Sequence, residues 1–448
     1  MTTVHVLHAP PGPTVGHVRR SLLRPGWPLS ALFLAFPLWW VLGLTEVVFF
    51  LAAVPMAVSL LRRRHVVTPR GFGIWLVFLA VVVVSGALLT AQAPFGEEGV
   101  LGGRILTFGY RLGWYLVATI VLLYVGNSDQ HDLSDERVSR LLAVMFVVTA
   151  AGGVLGMVAP HLEFRSSLEM LLPNGIADRN FVQALVHPAT ADVQRVLGYD
   201  EARPRAPFAY TNSWGANLSL FLPFFVYSWC RKDSGLRRVA APFVLVAAVL
   251  GVIYSLNRGI WIVLCAGALY AVVQVVRTRG ARAVNGLLAL AAVLVALALL
   301  SPLQTVVSER LSHPHSNERR SELALTTVRS TLTGSPLVGF GNVRDVQGAF
   351  GSIAGGASTD CPACGVPPMG TQGQFWLVLF SQGLIGLAVF VAFFVVRLAR
   401  HVRSRRPITV LGLAVVLSFL AEAFVYDTLG APMFTAMIAL GLMWRADR

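Results

Sequence analysis

The stretch Gly370-Thr371-Gln372-Gly373-Gln374-Phe375-Trp376-Leu377-Val378-Leu379-Phe380 carries the chain from a long polar segment into an apolar run that continues to Val396. The polar segment, from Pro302 to Gln372, is preceded by another apolar run of membrane length. Such a run holds roughly 17–25 residues, because a helix rising 1.5 Å per residue must cross about 30 Å of hydrocarbon. The reading of this junction fixes the fold class: a polar loop held between membrane helices.

The same pattern recurs along all 448 residues. Hydrophobic residues make up 55% and charged residues 13%, with a mean hydropathy of +0.67. A soluble domain carries about 25% charged residues, so one or two soluble domains with a tether are excluded. We expect an all-α polytopic membrane protein of twelve transmembrane helices. The spans fall near 28–43, 46–61, 72–91, 105–126, 139–159, 212–229, 239–254, 259–276, 283–302, 373–396, 408–425 and 430–444. Residues 1–27 read as an N-terminal tail and 445–448 as a short C-terminus.

The net charge of +14 would suggest nucleic acid in a soluble protein. Here it is explained by orientation, because Lys and Arg collect in cytoplasmic loops. Arg62-Arg63-Arg64, Arg231-Lys232, Arg237-Arg238, Arg277, Arg279, Arg282 and the run Arg397 to Arg406 all fall on one side of a twelve-span plan. That side, with both termini, is expected to be cytoplasmic. The loops at 160–211 and 303–372 then face outward. No nucleic-acid partner follows, only membrane lipids.

Cys230 and Cys265 lie in apolar runs and read as packing residues. Cys361 and Cys364 form Cys-Pro-Ala-Cys in the large loop. Two cysteines fall short of the four ligands of a structural zinc site. A local disulfide in an oxidising outer compartment is the expectation.

Four outer stretches carry residues fit for chemistry. The first is Arg203-Pro204-Arg205-Ala206-Pro207, followed by Thr211 and Asn212, either of which suits a helix cap. The second is Ser255-Leu256-Asn257-Arg258-Gly259, a short hairpin that leaves its arginine at membrane depth. The third is Asn317-Glu318-Arg319-Arg320, opening a helix to about Thr331 whose Leu323, Leu325, Val328 and Leu332 suggest an apolar face. The fourth combines Gly339-Phe340-Gly341-Asn342 with Gly370 to Gly386. Each has a bland reading: an interfacial Arg, a solvated helix face, a glycine turn. The functional one is anion binding, because guanidinium grips phosphate bidentately and stays charged. No outer His-x-x-x-His or carboxylate cluster appears, so neither a catalytic metal nor a cofactor is expected. Arginine would then stabilise a phosphate leaving group in place of a cation.

At these residues the chain resembles the O-antigen ligase and polymerase family of membrane glycosyltransferases. The matching pieces are Arg205 to Gly215, Ser255 to Gly259, Arg320 with Pro336 to Gly341, and Gly370 to Gly386, over about residues 203–390. The resemblance implies a metal-independent transfer of a glycan from a polyprenyl-pyrophosphate carrier to an acceptor hydroxyl, at the outer face of a bacterial cytoplasmic membrane. It implies that Arg205, Arg258 and Arg320 hold the pyrophosphate, with Asn212 and Thr371 beside the substrate. The family's histidine is replaced by Gln372, its following asparagine by Gly373, and a glutamate further on by Ser381. Gln372 is then expected to position the acceptor with Thr371, while Arg320 carries the larger share of catalysis. His313, His315, Glu318, Glu322 and Asp345 remain as bases in the loop. The competing expectations are a transporter or flippase of the same lipid-linked glycan, marked by Glu46, Arg111 and Glu422 inside spans, and an inactive homologue that scaffolds envelope assembly.

Overall fold

The computed structural model describes residues 24–97, 101–177, 180–194, 201–231, 233–279, 315–347 and 368–448. The Cys361–Cys364 pair, His313 and the span expected near 283–302 lie outside these residues.

Helices stand where the other apolar runs predict them. They are α1 (Trp27–Leu34), α2 (Phe36–Val41), α3 (Val47–Leu61), α4 (Phe72–Ser85), α5 (Leu101–Asn127) and α6 (Asp135–Val158). The next loop holds three short helices, α7 (Ser167–Leu171), α8 (Asn174–Ala177) and α9 (Asn180–Val186), and a two-stranded antiparallel sheet, β1 (Ala191–Gln194) and β2 (Glu201–Pro204). Then come α10 (Thr211–Trp229), α11 (Leu236–Tyr254), α12 (Arg258–Arg279), α13 (His315–Gly334), α14 (Gln374–His401), α15 (Pro407–Glu422) and α16 (Ala431–Ala446). Helices α5, α6, α11, α12 and α14 are long and apolar enough to cross a membrane; α3, α4, α15 and α16 are shorter apolar helices. The first expected span is two helices, because Pro37 cannot continue α1 but suits the first turn of α2.

The core is aromatic. Phe49 packs edge-on to Phe434 at 5.0 Å, and Trp75 lies 5.0 Å from Phe393. Trp214 is fully buried and donates to the Thr149 carbonyl at 2.9 Å, which locks α10 to α6. Cys230 and Cys265 lie outside that core; both are exposed, so they are not the packing residues their apolar surroundings suggested.

The connections fall into two ends. At one end Val67 N–H donates to Asn127 at 2.9 Å, Arg231 meets Glu136 at 3.4 Å, and His401 meets Asp447 at 2.6 Å. There the acidic 127–137 connection is not merely solvated: Asp135 pairs with Arg445, which is itself buried and also donates to the Leu133 carbonyl at 2.7 Å. At the other end Arg203 Nε donates to the Ser255 carbonyl at 2.6 Å, and Glu97 N–H donates to the Asp345 carbonyl at 2.8 Å. These are the two loop sets that the charge pattern separates.

One feature of this second end organises the rest. Helix α14 is broken at Gly383, whose φ of 66° and ψ of −167° are far from helical. The break frees backbone groups that hydrocarbon would not satisfy. The segment Pro336–Gly341 satisfies them: Phe340 and Gly341 N–H donate to the carbonyls of Phe380 and Ser381 at 2.9 and 2.8 Å, and Leu384 N–H donates to the Pro336 carbonyl at 2.8 Å. A Cβ on Gly383 would lie 2.4 Å from the Leu337 carbonyl group, so the docking needs glycine there. Arg344 pins the far side of the loop. It is 2% exposed and donates to the carbonyls of Phe340, Asn342, Val343, Leu88, Leu89 and Ala91.

Candidate functional site

Helix α13 lies on the broken helix α14. Its inward face is hydroxyl-rich: Leu323, Thr327, Ser330 and Thr331 are buried, whereas Leu325 and Leu332 are exposed. The expected apolar face is therefore not the buried one. Thr327 Oγ1 accepts from Gly370 N–H at 3.2 Å and from Gln372 Nε2 at 2.9 Å. These two bonds clamp the Gly370–Gln372 turn against α13. Arg320 precedes Thr327 by seven residues, two helical turns, so both share one face.

Arg320 and Gln372 thus line the same cleft. Its volume is about 430 Å³, and its other walls are Ser321, Ala324, Leu325, Trp376, Phe424 and Val425. Trp376 is fixed by its Nε1–H, which donates to the Phe424 carbonyl at 2.9 Å. Arg320 Nη1 donates to the Val425 carbonyl at 2.8 Å. Gln372 is 5% exposed, and its Oε1 has no hydrogen-bond partner. An orphaned acceptor beside an arginine, in an otherwise apolar cleft, is a polar handle awaiting a donor.

Behind Arg320 stands Tyr426, whose hydroxyl donates to Asn257 Oδ1. Asn257 Nδ2 in turn donates to Asn212 Oδ1 at 3.0 Å. Gly259 permits the close approach of α12, since a Cβ there would sit 2.2 Å from the Tyr426 hydroxyl. Arg203, on β2, and Arg258, at the start of α12, share this neighbourhood. Burial pulls the Arg320 guanidinium below its usual pKa, Tyr426 opposes that shift, and Arg258 adds to it. Arg203 is likewise lowered by burial, against Asp192 and Tyr426, with Arg320 adding to the shift. Arginine starts so high that all three stay charged at neutral pH. Tyr426 is held above its ordinary range, first by burial, and is neutral. Arg320 and Arg203 act on one neutral phenol and Arg258 acts on Arg320, a grouping of cations that favours an anion.

Not every expected residue belongs to it. Arg205 is committed elsewhere: Nη1 pairs with Asp192 at 2.9 Å and reaches the Ala209 carbonyl at 3.1 Å. Asp192 also caps α10, accepting from Thr211 N–H at 3.0 Å, so neither Thr211 nor Asn212 caps its own helix. Arg203, two residues earlier, takes the position expected of Arg205. The sequence held the signal only as alternation, since residues two apart on a strand share a face and Arg203 differs from Arg205 in being inside β2. Asn212 acts behind Asn257, and Thr371 closes its turn by donating to the Pro368 carbonyl at 2.7 Å. Glu322 and Asp345 are exposed and do not line the cleft. Tyr426 and Thr327 were missed, because a lone Tyr or Thr carries no sequence pattern, and Asn257 was quoted within its stretch without a role.

A second polar group lies across the turn that follows α15. Phe424 and Val425 face the cleft, whereas Asp427 faces Arg111 and Glu46, whose charges it feels. Tyr110 Oη donates to Glu46 Oε2 at 3.5 Å, and Arg111 Nη1 donates to Asn342 Oδ1 at 2.5 Å. Among the described residues no group of three His, Cys, Asp or Glu is arranged to hold a metal ion. No protein-family model matches the chain, and no curated protein matches it.

Proposed function

We propose that the protein is a polytopic glycosyltransferase of the ligase or polymerase type, with twelve spans, cytoplasmic termini and the cleft at the outer face of a cytoplasmic membrane. Its donor is a polyprenyl-pyrophosphate-linked glycan, and its acceptor is a hydroxyl of a second glycan or lipid. The observation that carries this reading is the cleft itself. Leu325, Trp376 and Phe424 offer apolar walls to a lipid chain, and Arg320, with Arg203 and Arg258 behind it, meets the pyrophosphate head.

In this reading the acceptor oxygen forms a bond to the anomeric carbon. The bond from that carbon to the pyrophosphate oxygen breaks, and its electron pair leaves with the pyrophosphate. The guanidinium groups stabilise that growing charge, which is commonly the larger part of such catalysis. Gln372 Oε1 accepts from the acceptor hydroxyl and orients it; an amide cannot take the proton at neutral pH, so the proton passes to solvent or to another loop group.

The test is incubation of the purified full chain with a polyprenyl-pyrophosphate-linked oligosaccharide and an acceptor glycan. Release of polyprenyl pyrophosphate with elongation of the acceptor is the expected result. A transporter is the second reading, favoured by Arg111 and the fully buried Glu422 within apolar helices and by Glu46 at the head of another. Movement of the intact lipid-linked glycan across a vesicle bilayer without cleavage would establish it instead. Labelling of Asp345→Cys, an exposed loop position, by an impermeant thiol reagent on intact cells tests the orientation.

A further inference from the structure

Glu46, Tyr110, Arg111 and Asp427 gather from three parts of the chain without closing on one another. Among the described residues, Arg111 donates only to Asn342, and Asp427 accepts only from Leu429 N–H in its own turn, at 3.0 Å. Glu46 has only the long 3.5 Å bond from Tyr110, and no ion pair within 4.0 Å joins either carboxylate to Arg111. The charges stay apart, and their carboxylate and guanidinium groups leave donors and acceptors to spare.

The surroundings add to this. Asp427 is exposed, yet loss of hydration by the protein around it pushes its pKa up. Its carboxylate thus reaches solvent while protein packs around it. Gln374 is fully buried; its Nε2 donates to Tyr115 Oη at 3.1 Å, and its Oε1 has no partner. Thr428, beside Asp427, is fully buried with an unpartnered Oγ1. Glu46 Oε2 reaches within 4.0 Å of where a Cβ on Gly430 would stand, so the carboxylate lies against the end of the same turn.

Two carboxylates and one guanidinium, with phenol, amide and hydroxyl groups around them, carry one net negative charge when all three are ionised. A phosphate would meet too much negative charge, and a bare cation would meet Arg111. Vicinal sugar hydroxyls each donate and accept, and they match such a set. We propose that this recess binds the hydroxyls of an uncharged saccharide, and that the saccharide is the acceptor. The second clause rests on the glycosyl-transfer reading above; the first does not. The turn from Phe424 to Asp427 then forms the wall between donor cleft and acceptor recess, with Phe424 and Val425 on one face and Asp427 on the other.

Saturation-transfer NMR on the purified full chain tests the binding. The probes are neutral trisaccharides of glucose, galactose, mannose, rhamnose and N-acetylglucosamine, with farnesyl pyrophosphate as a separate donor-head probe. At least one trisaccharide is expected to receive saturation, and Glu46→Gln and Arg111→Lys are expected to lower that signal at least tenfold. Farnesyl pyrophosphate binding should be unchanged in both, which shows the variants to be folded. Arg320→Ala should do the reverse. No signal for any trisaccharide, or equal signals in wild type and both recess variants, overturns the proposal. So does a Glu46-dependent rise in melting temperature with sodium over choline, which would make the recess a cation site. Failure of farnesyl pyrophosphate binding alone would instead strike the donor reading.

Discussion

Arg344 directs its Nη atoms at the carbonyls of six residues, from Leu88 to Val343, whereas among the described residues Arg320 donates to one carbonyl, that of Val425. Both belong to the polar segment between the two apolar runs, and burial lowers both pKa values, that of Arg344 to about 10. The first arginine is spent on the fold. It holds the 336–347 segment against the 88–91 turn, and so keeps the broken α14 satisfied. The second lines a cleft. An arginine's role here is legible from where its N–H groups go, not from its depth.

Arg344→Ala is the severest way to test that contrast. Up to six carbonyls lose their donor, at roughly 1–3 kcal/mol for each one left unsatisfied. The variant is expected to lose cooperative melting in detergent. Retention of a wild-type melting curve would show that Arg344 does not hold the loop.

Arg205→Ala comes next and is also a fold effect. It leaves Asp192 with no countercharge at the head of α10, and a broken, largely buried pair costs roughly 3–5 kcal/mol. Asp192→Asn should lower the melting temperature in the same direction. Farnesyl pyrophosphate binding by whatever Arg205→Ala protein remains folded should be near wild type, whereas Arg203→Ala should weaken it. The opposite pattern would restore Arg205 to the anion corner.

Much of this was readable from the residues. The apolar runs placed the helices, because hydrocarbon thickness dictates their length. Charge asymmetry separated the loops into the two ends that the contacts now join. Arg320 and Gln372 stood out in the sequence as a cation and an amide bordering a membrane-length run, and the fold brings both to one cleft. The Arg203 and Arg205 assignment was not, since it depends on the strand pairing of Asp192 with Arg203 and on a salt bridge that only the folded loop creates. The break at Gly383 was hidden inside a continuous apolar run. Its partner, Pro336–Gly341, lies some forty residues upstream, and no local period reports a pairing at that range. The hydroxyl face of α13 was hidden for the same reason: Thr327 meets Gly370 and Gln372, partners distant in sequence.

Arg320→Ala should leave melting nearly unchanged and lower glycan transfer roughly ten- to a hundredfold, the equivalent of about 1.5–3 kcal/mol for a lost charge-assisted contact. Arg320→Lys should recover little, because it loses the planar fork. Gln372→Ala should cost less than Arg320→Ala, since it removes an orienting acceptor and not the charge that meets the leaving group. Side-by-side transfer rates decide the order, and an equal loss in folded Gln372→Ala would put acceptor positioning ahead of leaving-group stabilisation.

The smallest effect carries the contrast between spent and unspent charge to the recess. Burial raises the Asp427 pKa, with Arg111 and the Leu429 N–H opposing it. A carboxyl raised in the folded state favours the fold when protonated. That contribution is full below the ordinary carboxylate range, near ~4, and is lost as pH rises through the raised folded value. Above that raised value the ionised Asp427 therefore weakens the fold, and Asp427→Asn should raise the melting temperature slightly there. The gain should shrink toward zero as pH falls to about 4, where wild type is itself protonated. Melting curves of both proteins across this range check the sign. A fold that tolerates such a charge keeps it for another use, so the same variant should lose trisaccharide binding while gaining stability. Were Asp427→Asn less stable at neutral pH, the carboxylate would be a spent charge like Arg344, paired tightly with Arg111, and the recess would be closed to a sugar.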